Sequence, residues 1–199
     1  MRLYKQTTDN TCGPSCLLMI LNHYYPQKFK LKREDEFMFW TQAVILPHRY
    51  TSAYALGYIA AKNKIKVKMY KSGKAHYKFA KKQGYSKKDV KNMMYMGDLY
   101  KKMAKKTGIK IYTRKISFDH LKKAVKENDF IIPLIDSSVL TGRKRGLHFI
   151  VIAGFKDSKF LIFDPLTGKH RVKEEVVKKA FNNVKDIFKD PLFFMTFKK

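Results

Sequence analysis

Residues 10–26 read Asn10-Thr11-Cys12-Gly13-Pro14-Ser15-Cys16-Leu17-Leu18-Met19-Ile20-Leu21-Asn22-His23-Tyr24-Tyr25-Pro26. Proline suits a first helical turn because its missing N–H would have no partner there, and Pro26 cannot continue a helix. The stretch therefore predicts a helix from Gly13-Pro14 to about Tyr25, with Asn10 or Thr11 capping its free amides. Cys16 to Leu21 are apolar nearly all round the helix, the pattern of an element buried at the centre of a fold. Cys12 then sits at the N-terminus of a buried helix, where unpaired amides and the helix dipole favour a thiolate. Taken alone, Cys12 reads more simply as a small core residue, and Cys16, one turn further in, reads as packing. These two are the only cysteines. Four residues apart on one helix face, they have poor geometry for a disulfide, and without a second ligand cluster no structural zinc is expected, although His23 follows.

Working outward, Ser52–Asn63 predicts a helix leading into a short strand, Ile65–Tyr70, where Ile65, Val67 and Met69 alternate with lysines. A second long helix begins at Ser86, with Asp89 as its capping partner, and ends near Thr107-Gly108. Its expected core stripe is Val90, Met93, Met94, Gly97, Tyr100, Met103 and Ala104, with lysines opposite. From residue 109 the period becomes that of a sheet. The expected elements are strand Ile109–Tyr112, helix Phe118–Lys126, strands Phe130–Asp136, His148–Phe155 and Lys159–Asp164, helix Lys173–Phe181, and strand Leu192–Phe197. Residues 1–199 thus read as a single α+β domain, a helical half of about 1–108 followed by a sheet half of about 109–199.

With 45% apolar and 14% aromatic residues over 199 positions, the chain is too rich for a disordered polycation. It has no apolar run of transmembrane length, and Met1–Gln6 lacks the pattern of a signal peptide, so a soluble, cytoplasmic protein is expected. Against 43 Lys and Arg stand 16 Asp and Glu, a net charge of +27. The dense stretches are 62–74, 78–91, 101–110 and Arg143-Lys144-Arg145. Such an excess attracts polyanions non-specifically, but no nucleic-acid motif or aromatic stacking platform accompanies it.

A nucleophilic cysteine needs a base, usually histidine, and a third group that orients the base. His148 opens an apolar strand, and Asp164 closes the next one, sixteen residues on. If Lys156-Asp157-Ser158 closes a tight hairpin, the first residue of one strand lies beside the last of the other, so His148 and Asp164 meet. Asp164-Pro165 also reads as a turn in which the carboxylate caps its own backbone. Gln6, across the polar turn before Cys12, carries an amide that could fold back over the helix start as an oxyanion donor. His23, His48, His76, His120 and His170 read as structural, and Trp40 as packed on the core.

Three blocks, Gln6 to Leu17, Leu147 to Phe155 and Phe163 to Gly168, resemble the motifs of cysteine peptidase family thirty-nine. This papain-like family includes bacteriocin-leader-processing peptidases and stand-alone relatives. The resemblance implies a papain-like α+β fold with a buried helix bearing the nucleophile against an antiparallel sheet. It implies Cys12 as nucleophile, His148 as base, Asp164 as its orienting residue and Gln6 as oxyanion donor. Thr11 stands where leader-cleaving members carry an acidic residue, so a soluble stand-alone peptidase is the expected type. The expected substrate is a peptide or protein, with acidic residues near the cut favoured by the Arg143–Arg145 segment. No metal or organic cofactor is called for. The alternatives are a catalytically silent peptidase-like binding module and a basic nucleic-acid-binding protein.

Overall fold

In the computed structural model, residues 1–73, 84–142, 145–186 and 191–199 are described. Helix α1 spans Cys12–Tyr24, and residues 13–22 are all buried, as an element apolar on every side must be. Even polar Asn22 is accommodated, because its side-chain amide donates to the Phe29 carbonyl at 2.8 Å. The expected cap is absent. Thr11 precedes the helix but turns its hydroxyl to the Thr8 carbonyl at 3.0 Å, so neither it nor Asn10 caps the first-turn amides.

On α1 pack α2 (Arg33–Ala43) and α3 (Ala53–Lys62), and α4 (Lys87–Lys106) packs in turn on α3, with a small hairpin of β1 (Val44–Ile45) and β2 (Tyr50–Thr51) following α2. Helix α2 carried no sequence signal because its exposed Arg33-Glu34-Asp35 start masks a short inner face of Glu36, Phe39 and Ala43. Ser52 caps α3, and Ser86 and Asp89 form a reciprocal capping box on α4. In α4, Val90, Met93, Gly97 and Ala104 are buried as expected, whereas Met94 is 49% exposed and points outward. Phe39 enters the core, while Trp40 is half-buried and packs on Phe37.

The remaining elements are β3 (Lys66–Lys71), β4 (Lys110–Thr113), α5 (Phe118–Glu127), β5 (Phe130–Asp136), α6 (Ser137–Thr141), β6 (Leu147–Phe149), β7 (Val151–Lys156), β8 (Lys159–Asp164), β9 (Gly168–Lys173), α7 (Glu174–Asp186) and β10 (Phe193–Lys198). They build an eight-stranded sheet in the order β4-β3-β10-β5-β7-β8-β9, with β6 also paired to β5. Every pair is antiparallel except β3 with β4. Strand β3, from the helical half of the sequence, lies inside this sheet between β4 and β10. Strand β9 occupies residues where the sequence predicts only a turn leading into a helix. Its residues Lys169, His170 and Arg171 are exposed, so it lacks the apolar alternation of a half-buried strand.

The sheet is covered on both faces. Phe130, Ile132, Val151, Phe163 and Met195 face α1 to α3, whereas Ile131, Ile152, Ile162 and Phe194 face α5 and α7. This explains the unbroken apolar runs 130–135 and 192–195, since a strand buried on both sides has no polar face to alternate with. Among the described residues no helix is long and apolar enough to cross a membrane.

Candidate active site

Three elements converge at the open end of α1. The helix presents Cys12 in its first turn, β6 carries His148, and Asp164 ends β8. His148 Nε2 meets Asp164 Oδ1 at 2.8 Å, with both side chains buried. The ring and the Cys12 sulfur act on each other electrostatically, the imidazole lowering the thiol pKa and the thiol raising that of the imidazole. Because Nε2 is engaged by Asp164, the nitrogen left for the thiol is Nδ1.

The route by which His148 and Asp164 meet differs from the expected one. The β7–β8 turn is tight, with Asp157 and Ser158 both at positive φ as a two-residue hairpin requires. Its register sets Val151 opposite Phe163, so extending it places Ile150, not His148, across from Asp164. The ladder is interrupted at Ile150, and His148 instead pairs with Ile135 of β5. Side-chain reach therefore spans the two-residue offset. The turn reading of Asp164 holds for the same carboxylate: Leu166 N–H donates to Oδ1 and Thr167 Oγ1 to Oδ2, each at 2.8 Å. These bonds orient the group that faces His148.

Burial alone would push the Cys12 thiol up. The hydrogen bond and charge of His148, with the backbone amides of Phe149 and Gly13, outweigh it and hold Cys12 below the usual thiol range. Burial likewise opposes a charge on His148, but Asp164 and Cys12 push its pKa up to about 10. Desolvation would raise Asp164, and His148, Leu166 and Thr167 lower it. All three directions favour one state, a thiolate–imidazolium pair backed by a carboxylate. The first-turn amide of Gly13, left without a side-chain cap, is thus spent on sulfur.

Gln6 is brought beside this group but is not joined to it. Its backbone N–H donates to the Pro165 carbonyl at 2.8 Å, laying the N-terminal segment along the Asp164 turn. The side-chain Nε2 donates to the Thr8 carbonyl at 2.7 Å, and Oε1 is buried without a partner among the described residues. The Thr8 carbonyl sets the amide's orientation, because the reverse would oppose two oxygens, and it leaves one Nε2 hydrogen uncommitted.

Cys12 opens into a cavity of about 270 Å³ walled mainly by apolar groups, among them Ile45, Tyr50, Met93, Leu147, Phe149 and Phe193. The β1–β2 hairpin and α4 contribute much of this wall, and neither carried a site signal. His48, read as structural, lines the cavity stacked on Tyr50. His23 packs edge-on against Phe130, His120 closes the start of α5 with Ser117, and His170 meets Thr167 at 3.0 Å. Of the segment expected to flank the cleft, Leu147 lines it and Arg145 is exposed. Arg143, Lys144 and His76 lie outside the described residues, as does much of the lysine-rich stretch 78–91. Cys16 is fully buried, its thiol donating to the Phe149 carbonyl at 3.4 Å. Among the described residues no His, Cys, Asp and Glu cluster could hold a metal ion.

No curated protein matches the chain. Among solved structures, it is similar to a double glycine motif protease from an AMS/PCAT transporter in complex with the leader peptide. The TM-score is 0.55 at 16% identity, covering 99% of this chain and 90% of the other. It is also similar to the peptidase domain of Streptococcus ComA, a bi-functional ABC transporter involved in a quorum sensing pathway. There the TM-score is 0.50 at 15% identity, covering 98% of this chain and 97% of the other. At such identities the likeness shows the fold alone, that of papain-like cysteine peptidase domains. The Peptidase_C39 like family model matches residues 1–189, from the segment before the Cys12 helix to beyond α7, and the chain therefore belongs to the Peptidase_C39 like family.

Proposed function

We propose that this protein is a cysteine peptidase that hydrolyses peptide bonds through Cys12, His148, Asp164 and Gln6. The observation that carries this reading is the position of the buried His148 imidazole, bonded to Asp164 at 2.8 Å and facing the Cys12 thiol. The thiolate attacks the peptide carbonyl carbon, and the carbonyl oxygen becomes an oxyanion received by the free Nε2 hydrogen of Gln6 and the backbone N–H of Cys12. The imidazolium returns its proton to the leaving amine as the C–N bond breaks and a thioester remains. His148 then takes a proton from water as the water attacks the thioester, and the released thiolate recovers its pairing with His148. Asp164 keeps the ring turned toward sulfur throughout. A peptide substrate suits the apolar cavity beside Cys12, and the similar AMS/PCAT protease was captured with a leader peptide. The positive charge of Arg143, Lys144 and Arg145 in the segment leading into His148 favours acidic residues near the cut.

A thiol-reactive peptide-like probe tests the proposal. It should modify Cys12 stoichiometrically near neutral pH, lose the reaction in His148→Ala and keep it in Cys16→Ala. No modification of Cys12 would overturn the proposal in favour of a silent binding module. Turnover of acidic over neutral peptide libraries at low salt checks the charge preference, which equal cleavage would refute.

A further inference from the structure

Residues 1–11, which carry Gln6 and lead into Cys12, form neither helix nor strand. No ladder of backbone hydrogen bonds therefore holds them in register, and beyond the Gln6 N–H bond to Pro165 their shape depends on side chains. One carboxylate ties this segment to both α1 and α2. Glu36, on the inner face of α2, is fully buried and accepts four hydrogen bonds, two on each oxygen. Oε1 takes the Thr7 backbone N–H at 2.9 Å and Ser15 Oγ at 3.1 Å. Oε2 takes the Tyr4 hydroxyl at 2.9 Å and Thr7 Oγ1 at 2.7 Å.

Glu36 forms no ion pair within the described residues. An ionised carboxylate buried without a cation is costly unless its lone pairs are filled. A carboxylate offers about four such sites, and here neutral donors fill them all. Burial would raise its pKa, and the hydroxyl of Thr11, the hydroxyl and backbone N–H of Thr7 and the hydroxyl of Tyr4 keep it below the usual carboxylate range. Every donor comes from residues 4–15. Thr7 follows Gln6 directly, and Ser15 stands in the first turn of α1 with Cys12. The same anchor thus holds both sides of the segment that the proposed chemistry needs rigid.

We infer that Glu36 is a positioning residue, which sets the Cys12 thiol against His148 and the Gln6 amide over the helix start by fixing residues 4–15. This rests on the reading of Cys12 as the nucleophile but requires nothing of the substrate. A glutamine in its place keeps the volume but offers two lone pairs and two hydrogens where four donors converge. The hydroxyls can turn to accept, but the Thr7 N–H cannot. The conservative Glu36→Asp keeps the charge and draws it back by one methylene.

The test is the second-order rate of Cys12 alkylation by iodoacetamide across pH, with the modified site assigned by mass spectrometry, in the full chain. Glu36→Gln should slow the reaction at neutral pH by about 10-fold or more and move its acid limb upward, with Glu36→Asp recovering part of both. Thr7→Val removes one of the four bonds at an exposed position and should show a smaller shift in the same direction, so the inference stays testable if Glu36→Gln does not fold. A protein that only loses stability would melt lower with the wild-type limb unmoved, and that result in the folded variants overturns the inference. Iodoacetamide reads the thiolate directly. A wild type that alkylates with a depressed limb yet cleaves no peptide would therefore fail the peptidase reading while leaving the Glu36 test intact.

Discussion

Two thiols four residues apart on α1 meet the same residue, Phe149, in opposite senses. Cys12 accepts from the Phe149 amide, and Cys16 donates to the Phe149 carbonyl at 3.4 Å. Both are desolvated, which pushes a thiol up. At Cys12 a cationic imidazole and two amides reverse that effect, whereas at Cys16 burial and the negative charges of Cys12 and Asp164 hold the thiol well above the usual range. One turn of helix separates the proposed nucleophile from a core residue. Cys12 is half-buried and Cys16 fully buried, but it is the partners at the helix mouth that lower one thiol and leave the other raised.

The sharpest break between them is substitution. Cys12→Ala should abolish labelling by a thiol-reactive probe, while Cys16→Ala leaves the stoichiometry unchanged, with mass spectrometry as the check. His148→Ala should come next, lowering peptide turnover by about 10²–10⁴-fold, because both the proton acceptor and the cation that stabilises the thiolate are lost. Its residual alkylation should rise with pH like that of an ordinary thiol.

Asp164→Asn sharpens the comparison through pH. His148 binds its proton more tightly in the folded protein, with a pKa raised from 6.5 to about 10. Its contribution to stability is therefore complete below about 6.5 and is lost as pH rises through about 10. Asp164 has the opposite sense: its pKa is lowered, so its contribution is present above its unfolded value and is lost as pH falls through the folded one. Melting temperatures recorded from acid to alkaline pH should show the variant losing most of the difference from wild type in the alkaline range, where His148 would already have discharged.

Gly13→Ala should have a smaller effect. An added Cβ would lie 2.9 Å from Leu56 Cδ1, 3.0 Å from Thr51 Cγ2 and 3.2 Å from Phe149 Cδ2. Yielding there moves the helix start away from β6, at a cost of about 1–3 kcal/mol measured by denaturant unfolding, with slower alkylation of Cys12. Smallest of all, Cys16→Ala should lower stability by about 1 kcal/mol and leave the Cys12 rate alone.

Much of the fold was legible because apolar periodicity reports burial. The all-round apolar run 16–21 announced a central helix, and the runs at 130–135 and 192–195 announced strands covered on both faces. Helix α2 escaped because its buried face is short and includes a glutamate, and strand β9 because its exposed residues Lys169, His170, Arg171 and Lys173 leave little apolar alternation. In the site, Cys12, His148 and Asp164 stood out as chemistry-bearing residues at element ends. Glu36 did not, because an acidic residue in Arg33-Glu34-Asp35-Glu36 looks solvated. Its one clue is spacing, since Glu36, Phe39 and Ala43 lie on one helical face and the latter two are apolar.

By itself the sequence determined which residues could do chemistry and which segments had to be inside, since residue type and apolar spacing are local properties of the chain. Only the tertiary structure decided that β3 enters the sheet between β4 and β10, that His148 reaches Asp164 across a two-residue offset, and that Glu36 gathers Tyr4, Thr7 and Ser15. Those outcomes depend on strand register and on side chains meeting from distant positions. A hydrogen bond at 2.8 Å is settled by that packing, which no local pattern encodes.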